Sequence, residues 1–437
     1  MGDDFHHNGA FALADGFNFY SGFGKPRPQP TTMGRKGFDF PEKDNYHFYL
    51  KQGAIKNFAK HMDSIVFWQD LMGHPNYDAW WQSRDARRAC KKIQPAMLVV
   101  GGAFDAEDCY GAWNLYKAIH AQSPATSAKL VMGPWFHGGW SRGDGANLGN
   151  VRFGSKTALY YQKNIETVFF NYYLKGKGAV NTMPAAKIFF SGENTWKDFD
   201  AWPPKGLVMK NLYLEAGQKL SWQAPSEQKS MSAYTSDPAK PVPYTEDVHM
   251  GRTREYMDDD QRFAARRPDV LVFETGTLNE DLCLGGELLA NLKVSLSSTD
   301  ADFVVKLIDV FPDDFIYDST VCCKGVKNEA EMAGYQMLVR GEIMRGRYRN
   351  SFEKPEAFVP GKVETVSFKL PDVAHTFKKG HKLMLQIQSS WFPLFDRNPQ
   401  QFVNIYTCED KDFVPCNIKV FHQQDQASFI QLPVLKP

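Results

Sequence analysis

Gly101-Gly102-Ala103-Phe104-Asp105 and, 32 residues on, Gly133-Pro134-Trp135-Phe136-His137 read as one phrase written twice. Each follows a short apolar run, Met97-Leu98-Val99-Val100 and then Leu130-Val131-Met132, and in each the titratable residue stands five places beyond the last apolar one. Runs that are apolar throughout, rather than alternating, suit strands covered on both faces. Open α/β sheets place their sites in the loops at the carboxyl ends of such strands. An Asp on one loop and a His on the next give the acid and base of a Ser–His–Asp relay, in the chain order nucleophile, acid, base. The nucleophile is then expected upstream on a sharp strand-to-helix turn. The 104 residues before Asp105 do not spell such a turn.

In such a relay the histidine takes the nucleophile's proton and later gives it to the leaving group, while the carboxylate fixes the ring's tautomer. Spacing alone leaves a plainer reading open, in which Asp105 caps the following helix and His137 is an ordinary loop residue. Glu107 and Asp108 are alternative orienting acids, or first-turn residues suited to the helix dipole. Ser141, within Gly139-Trp140-Ser141-Arg142-Gly143, matches the nucleophile-elbow pattern. It follows the histidine and no strand leads into it, so it reads as a chance match. Asp3, Asp4, His6 and His7 are metal-ligand types, but no second cluster completes a site, and buried hydrogen bonding is expected of them. Tyr77, Trp80, Trp81 and Trp135 either line an acyl pocket or pack the core.

The 437 residues exceed one ordinary domain. A hydrophobic share of 43% and 14% aromatics support sizeable cores, and a net charge of +1 gives no electrostatic support for nucleic acid or an anionic membrane. No apolar run approaches the roughly 20 residues of a membrane span. Met1 to His7 shows no basic segment followed by an apolar one, so no signal peptide is read there and the compartment stays open. Seven cysteines are not a disulfide scaffold. Cys408 and Cys416 either pair across a hairpin or stay free and buried.

Three blocks are expected. Residues 1–92 are mainly helical, with Ile55, Phe58, Met62, Ile65 and Trp68 along one helix face, a stop at Gly73-His74-Pro75, and a second amphipathic stretch from Tyr77 to Cys90. Lys25 to Pro30 is a surface connection. Residues 93–177 form a strand–helix–strand–helix series, with a crossover helix over 110–121. A long helix follows over 156–174, carrying Leu159, Ile165, Phe169 and Tyr173 on one side and ending at Gly176. Residues 183–437 change period: Leu292, Val294 and Leu296, then Val366, Phe368 and Leu370, then Leu383, Leu385 and Ile387 alternate with polar neighbours, as in a β-sandwich. A polar insertion over 224–247 reads as a loop or arm.

Four stretches carry a resemblance to a known family: Gly2 to Ala10, Gly101 to Asp108, Gly133 to Trp140, and Ser389 to Pro399. They resemble the α-amino acid ester hydrolases, which belong with the cocaine esterases (CocE/NonD proteins), glutaryl-7-aminocephalosporanic acid acylase-like proteins and X-Pro dipeptidyl-peptidases. The resemblance implies α/β plus all-β architecture: the C-terminal half of an α/β-hydrolase domain, its helical cap, and a jelly roll. It implies a serine hydrolase of small acyl esters or amides, with Asp105 as triad acid, His137 as base, and no cofactor or metal. It places the nucleophile serine and early strands upstream of Met1, so the chain alone is expected to be inactive. The remaining sheet would then have an unpaired apolar edge prone to homo-oligomerisation. Ester hydrolases of this kind bind the substrate's α-ammonium through carboxylates, and Asp78 is a candidate member, with Trp135 lining the substrate. The rival expectation is a non-enzymatic jelly roll binding carbohydrate or protein.

Overall fold

The apolar spacing of the first block marks what is buried, but the backbone reaches it in short pieces. The computed structural model describes residues 2–436 apart from 28, 35, 63, 181, 182 and 318–331; Pro28, in the expected connection, lies outside the described residues. A hairpin of β1 (His6–His7) and β2 (Ala10–Phe11) turns through Asn8 and Gly9, both at positive φ. Helices α1 (Leu13–Phe23), α2 (Asn45–Gln52) and α3 (Val66–Gly73) follow. The face expected as one helix is divided into a 3-10 turn at Ile55–Phe58, an α turn at Ala59–Met62, and α3. Ile65 between them is extended (φ −106°, ψ 96°). All five apolar residues are still buried, in a cluster with Phe11, Phe17, Phe48 and Tyr49. Packing against that aromatic cluster bends the path without changing which side faces inward. The stretch from Tyr77 to Cys90 is likewise two short turns, Ala79–Gln82 and Ala86–Ala89.

The second layer is a parallel sheet. β3 (Met97–Gly102), helix α4 (Cys109–Gln122) and β4 (Ala128–Gly133) form a strand–helix–strand unit, with register Met97↔Ala128 through Gly102↔Gly133. After the loop carrying His137 come α5 (Thr157–Tyr161), a π-helical turn (Gln162–Glu166) and α6 (Thr167–Lys175), closed by Gly176 in the left-handed region. The π turn winds one more residue per turn, so the expected face splits: Ile165 and Phe169 are buried while Leu159 and Tyr173 are exposed. β5 (Ala186–Phe190) pairs parallel with β4, and β6 (Thr195–Phe199) antiparallel with β5. The α/β sheet therefore takes in residues that the sequence division at 183 gave to the sandwich. β3 is its outer strand, with Leu98 and Val100 half-buried, and among the described residues it pairs only with β4.

The remainder is a two-layered β structure around one core. Its strands are β7 (Val208–Glu215), β8 (Lys219–Ser221), β9 (Met231–Ser236), β10 (Leu271–Glu274), β11 (Leu282–Leu296), β12 (Asp302–Val310), β13 (Gln336–Arg345), β14 (Glu364–Phe377), β15 (Lys382–Gln388), β16 (Cys416–Gln423) and β17 (Phe429–Val434). β11 pairs with β14 on one side and with β16 and β17 on the other, and β17 continues to β7. β10, β15, β12 and β13 are consecutive antiparallel neighbours. Leu292, Val294 and Leu296 meet Leu383, Leu385 and Ile387 in the shared core. The alternation fails as an inside–outside code on β12, where every residue is buried. Its second face packs against other parts of the chain, including Ala10 and Ala12. β9 lies inside the expected polar insertion, paired with β16 from Met231↔Phe421 to Ser236↔Cys416. Met231, Ala233 and Thr235 face outward while Ser232, Tyr234 and Ser236 face inward, and the serines on the inner face masked the strand. Cys408 and Cys416 are both free and buried.

Candidate active site

The two strand–loop phrases lie side by side because β3 and β4 are in-register parallel neighbours, and their loops are laced together. The Ala103 N–H donates to the Gly133 carbonyl at 2.8 Å and the Phe104 N–H to that of Trp135 at 3.0 Å. The repeated glycines permit this approach: a Cβ on Gly102 would overlap the Trp135 carbonyl oxygen, and one on Gly101 would stand 2.6 Å from the Ala112 methyl. The sandwich steadies the first loop, since Arg340 on β13 donates from Nη1 to the Ala103 carbonyl at 2.6 Å.

Asp105 is buried and uses both oxygens. Oδ1 accepts the N–H groups of Glu107 (2.9 Å) and Asp108 (3.1 Å), and Oδ2 lies 3.2 Å from His137 Nδ1. One Asp105 oxygen thus closes the turn that leads into α4 and the other meets the His137 ring. Asp108 also approaches the ring, with Oδ2 3.3 Å from Nδ1, and Glu107 Oε2 stands at 3.9 Å. Hydrogen bonds to Asp105 and then Asp108 push the imidazole up to about 10, outweighing burial, which lowers it. These three groups bring ligand-capable atoms within 4.8 Å of one another.

His137 opens onto a cleft of about 1040 Å³ with further acids on its walls, Asp4, Asp15 and Glu107, beside Phe5, Phe19 and Tyr20. Burial, then the Asp108 charge, pushes the Asp4 carboxyl up to about 6. Burial likewise raises Asp3 and Asp15. Arg252 reaches in from the segment after β9 and forms ion pairs with both Asp15 and Glu107.

The other expected site residues lie elsewhere or point away. The Trp135 indole is 2% exposed, donates to Thr157 Oγ1 at 2.8 Å and packs on Tyr161 and Trp196, so it is a wall of the core. Asp78 caps the turn Ala79–Gln82, accepts from His74 Nδ1 at 2.6 Å, and is not among the residues lining the His137 cleft. Ser141 is exposed and donates to the Gly138 carbonyl at 3.1 Å. Among the described residues no serine hydroxyl is hydrogen-bonded to His137. His6 meets Tyr406 Oη at 2.6 Å and His7 meets Glu342 at 3.2 Å, the buried hydrogen bonding expected of them. Sequence reasoning missed Asp4 and Asp15 as cleft acids and Arg340 and Arg252 as supports. The doubled acids at 3–4 and 107–108 were the available signal; nothing local marks the arginines.

A carboxylate and an imidazole meet on the loops of adjacent parallel strands, and the sheet is joined to a helical layer and a β-sandwich, the architecture of an α/β-hydrolase domain with an appended sandwich. Two family models match: the X-Pro dipeptidyl-peptidase (S15 family) over residues 1–139, and the X-Pro dipeptidyl-peptidase C-terminal non-catalytic domain over 178–426. The chain belongs to the X-Pro dipeptidyl-peptidase family. It is similar to the cocaine esterase of Rhodococcus sp. (strain MB1 Bresler), 27% identical over 378 residues, and spans 84% of its own length but 61% of that protein's. Among solved structures it is similar to an α-amino acid ester hydrolase (TM-score 0.91) and to an aminopeptidase from a marine sediment Thaumarchaeota archaeon (TM-score 0.90). Each is 35% identical, covering all of this chain and 70% of the other.

Proposed function

We propose that this chain carries the acid, the base, the helical cap and the sandwich of a serine hydrolase that cleaves esters or amides of small α-amino acyl groups through an acyl-enzyme. The observation that carries the reading is the His137–Asp105 pair, Nδ1 to Oδ2 at 3.2 Å, at a cleft walled by Asp4, Asp15 and Glu107. Asp105 holds the proton on Nδ1, which leaves Nε2 to take the nucleophile's proton and return it to the leaving group. The similarity to an α-amino acid ester hydrolase and an aminopeptidase supports a substrate with a free amine. The carboxylates beside the base suit such an ammonium, since charge-assisted hydrogen bonds are about twice as strong as neutral ones. A sandwich that only bound sugar or protein would have no use for this pair.

Asp108 links binding to chemistry. With both carboxylates on Nδ1, His137 is an imidazolium at neutral pH and cannot accept a proton. When Asp108 turns to a substrate ammonium, the ring keeps Asp105 alone and its pKa falls toward the range of a working base. A histidine NMR titration with and without alanine amide tests this. A lower His137 pKa in the amide's presence is expected, and an unchanged one overturns the amino-acyl reading. We further propose that the nucleophile is not one of these 437 residues. A fluorophosphonate should leave the protein unlabelled and a nitrophenyl ester should give no burst; stoichiometric labelling of Ser141 overturns that.

A further inference from the structure

Two guanidinium groups flank His137, opposite in sign to the acids that share its cleft. Arg254 lies over the ring of Phe136, the residue before the base, with Cζ 3.9 Å from the centroid. Arg142 sets its guanidinium against Gly138, the residue after it, where a Cβ would stand 3.2 Å from Cζ. Gly138 has φ 71°, so the bare face is also a conformational requirement. Both arginines line the His137 cleft and a second cleft, of about 660 Å³, that runs on from it past Pro134 and Asn147.

The charges around this second cleft leave a positive surplus. Asp144 is paired with Lys156 at 3.5 Å, and Glu255, 3.1 Å from His249 Nε2, sets its one negative charge against the two positive charges of Arg142 and Arg254 on the same lining. Burial pushes Asp258 up to about 7, toward its neutral form. Arg252 is taken by Asp15 and Glu107. Arg142 and Arg254 have no ion pair among the described residues, and both are exposed.

We propose that Arg142 and Arg254 form a carboxylate subsite on the leaving-group side of His137, which makes the substrate a short peptide with both ends free rather than a neutral ester. The proposal rests on the reading that the acids on the other side take the α-ammonium. A guanidinium fork matches a carboxylate in shape and charge, and two forks at one mouth suit one anionic end. The Phe136 ring already orients Arg254, which reduces the rotamer freedom lost on binding. The cleft is thereby bipolar, with acids at one end, arginines at the other and the base between them. A zwitterionic chain enters it in one direction.

Calorimetric titration of the 437-residue protein at pH 7 tests this with alanine amide (cation only), N-acetylalanine (anion only), and the peptides Ala-Ala and Ala-Ala-Ala (both charges). The better peptide should bind about tenfold or more tighter than alanine amide, the effect of one charge-assisted hydrogen bond. An R142Q/R254Q double variant should remove that gain and leave the amide's affinity unchanged. Both side chains are exposed, so an unaltered thermal midpoint will show that the variant is folded. Equal binding of amide and peptides, or a gain that survives the double variant, overturns the carboxylate subsite while the amino-acyl reading stands. Failure of alanine amide and the peptides to bind overturns both.

Discussion

At the ends of β3 and β4, one imidazole is served by two carboxylates: His137 Nδ1 has Asp105 at 3.2 Å and Asp108 at 3.3 Å. Between the sandwich and the α/β sheet the proportion is reversed. Asp309 takes His375 Nε2 at 3.0 Å on one oxygen and His381 Nδ1 at 2.8 Å on the other, and Ser191 Oγ lies 2.8 Å from His375 Nδ1. That second string has a serine, a histidine and an aspartate in hydrogen-bonded sequence, which the first lacks. Yet Ser191 is 4% exposed and His375 and Asp309 1% each, whereas the His137 side chain is 38% exposed at a large cleft. The comparison teaches that the constellation does not make a site. Access does, together with the acids on the walls of that cleft.

The buried string should be the costlier one to break. Burial alone raises the Asp309 carboxyl, but its hydrogen bonds with His375 and His381 hold it below the ordinary range. Asp309→Ala strands two buried imidazoles and should cost about 3–5 kcal/mol in denaturant unfolding. Asp105→Ala, at a half-open site, should cost less. Equal losses would erase the distinction drawn here. Next in size is Gly102→Ala, whose Cβ would overlap the Trp135 carbonyl oxygen and force the two loops apart. A destabilisation of about 1–3 kcal/mol is expected, with a fall in the His137 pKa as Asp105 moves away.

The open pair should show itself in pH rather than in large stability losses. His137 titrates near 10 in the fold and near 6.5 when unfolded. The folded state therefore holds the proton more tightly. The stabilisation is fully present below pH 6.5 and is lost as pH rises from there to about 10. Asp108→Asn should lower the His137 pKa measured by NMR and shrink the stability loss in that window. An unchanged pKa would mean that Asp105 alone sets it.

The open pair was legible in the sequence and the buried one was not. Asp105 and His137 each follow an apolar run at the same offset, and parallel pairing in register converts equal offsets into adjacency. Ser191, Asp309, His375 and His381 share no phrase; the bridge between Ser191 and His375 and the pairing of β12 with β15, which sets Asp309 opposite Leu383 near His381, bring them together. The sandwich core was likewise readable where one face met it, as with Leu292 and Val294. It was unreadable on β12, whose nine buried residues include Lys306 and Asp309. Periodicity reports one buried face. It is silent where tertiary packing covers the second, and silent again where a π turn or an extended Ile65 resets the phase.

The smallest expected effect separates the strings most cleanly. Ser191→Ala removes one hydroxyl that bridges His375 Nδ1 at 2.8 Å and the Ala374 carbonyl at 3.4 Å. A neutral hydrogen bond of this kind contributes about 0.5–1.5 kcal/mol. The alanine fills the same space less the oxygen, so the free energy of unfolding should fall by that amount and no more. Alanine amide should bind the variant as it binds the parent, and a fluorophosphonate should label neither. A change in amide affinity would mean that the buried string and the cleft share one equilibrium, because nothing in the proposed chemistry of His137 passes through Ser191.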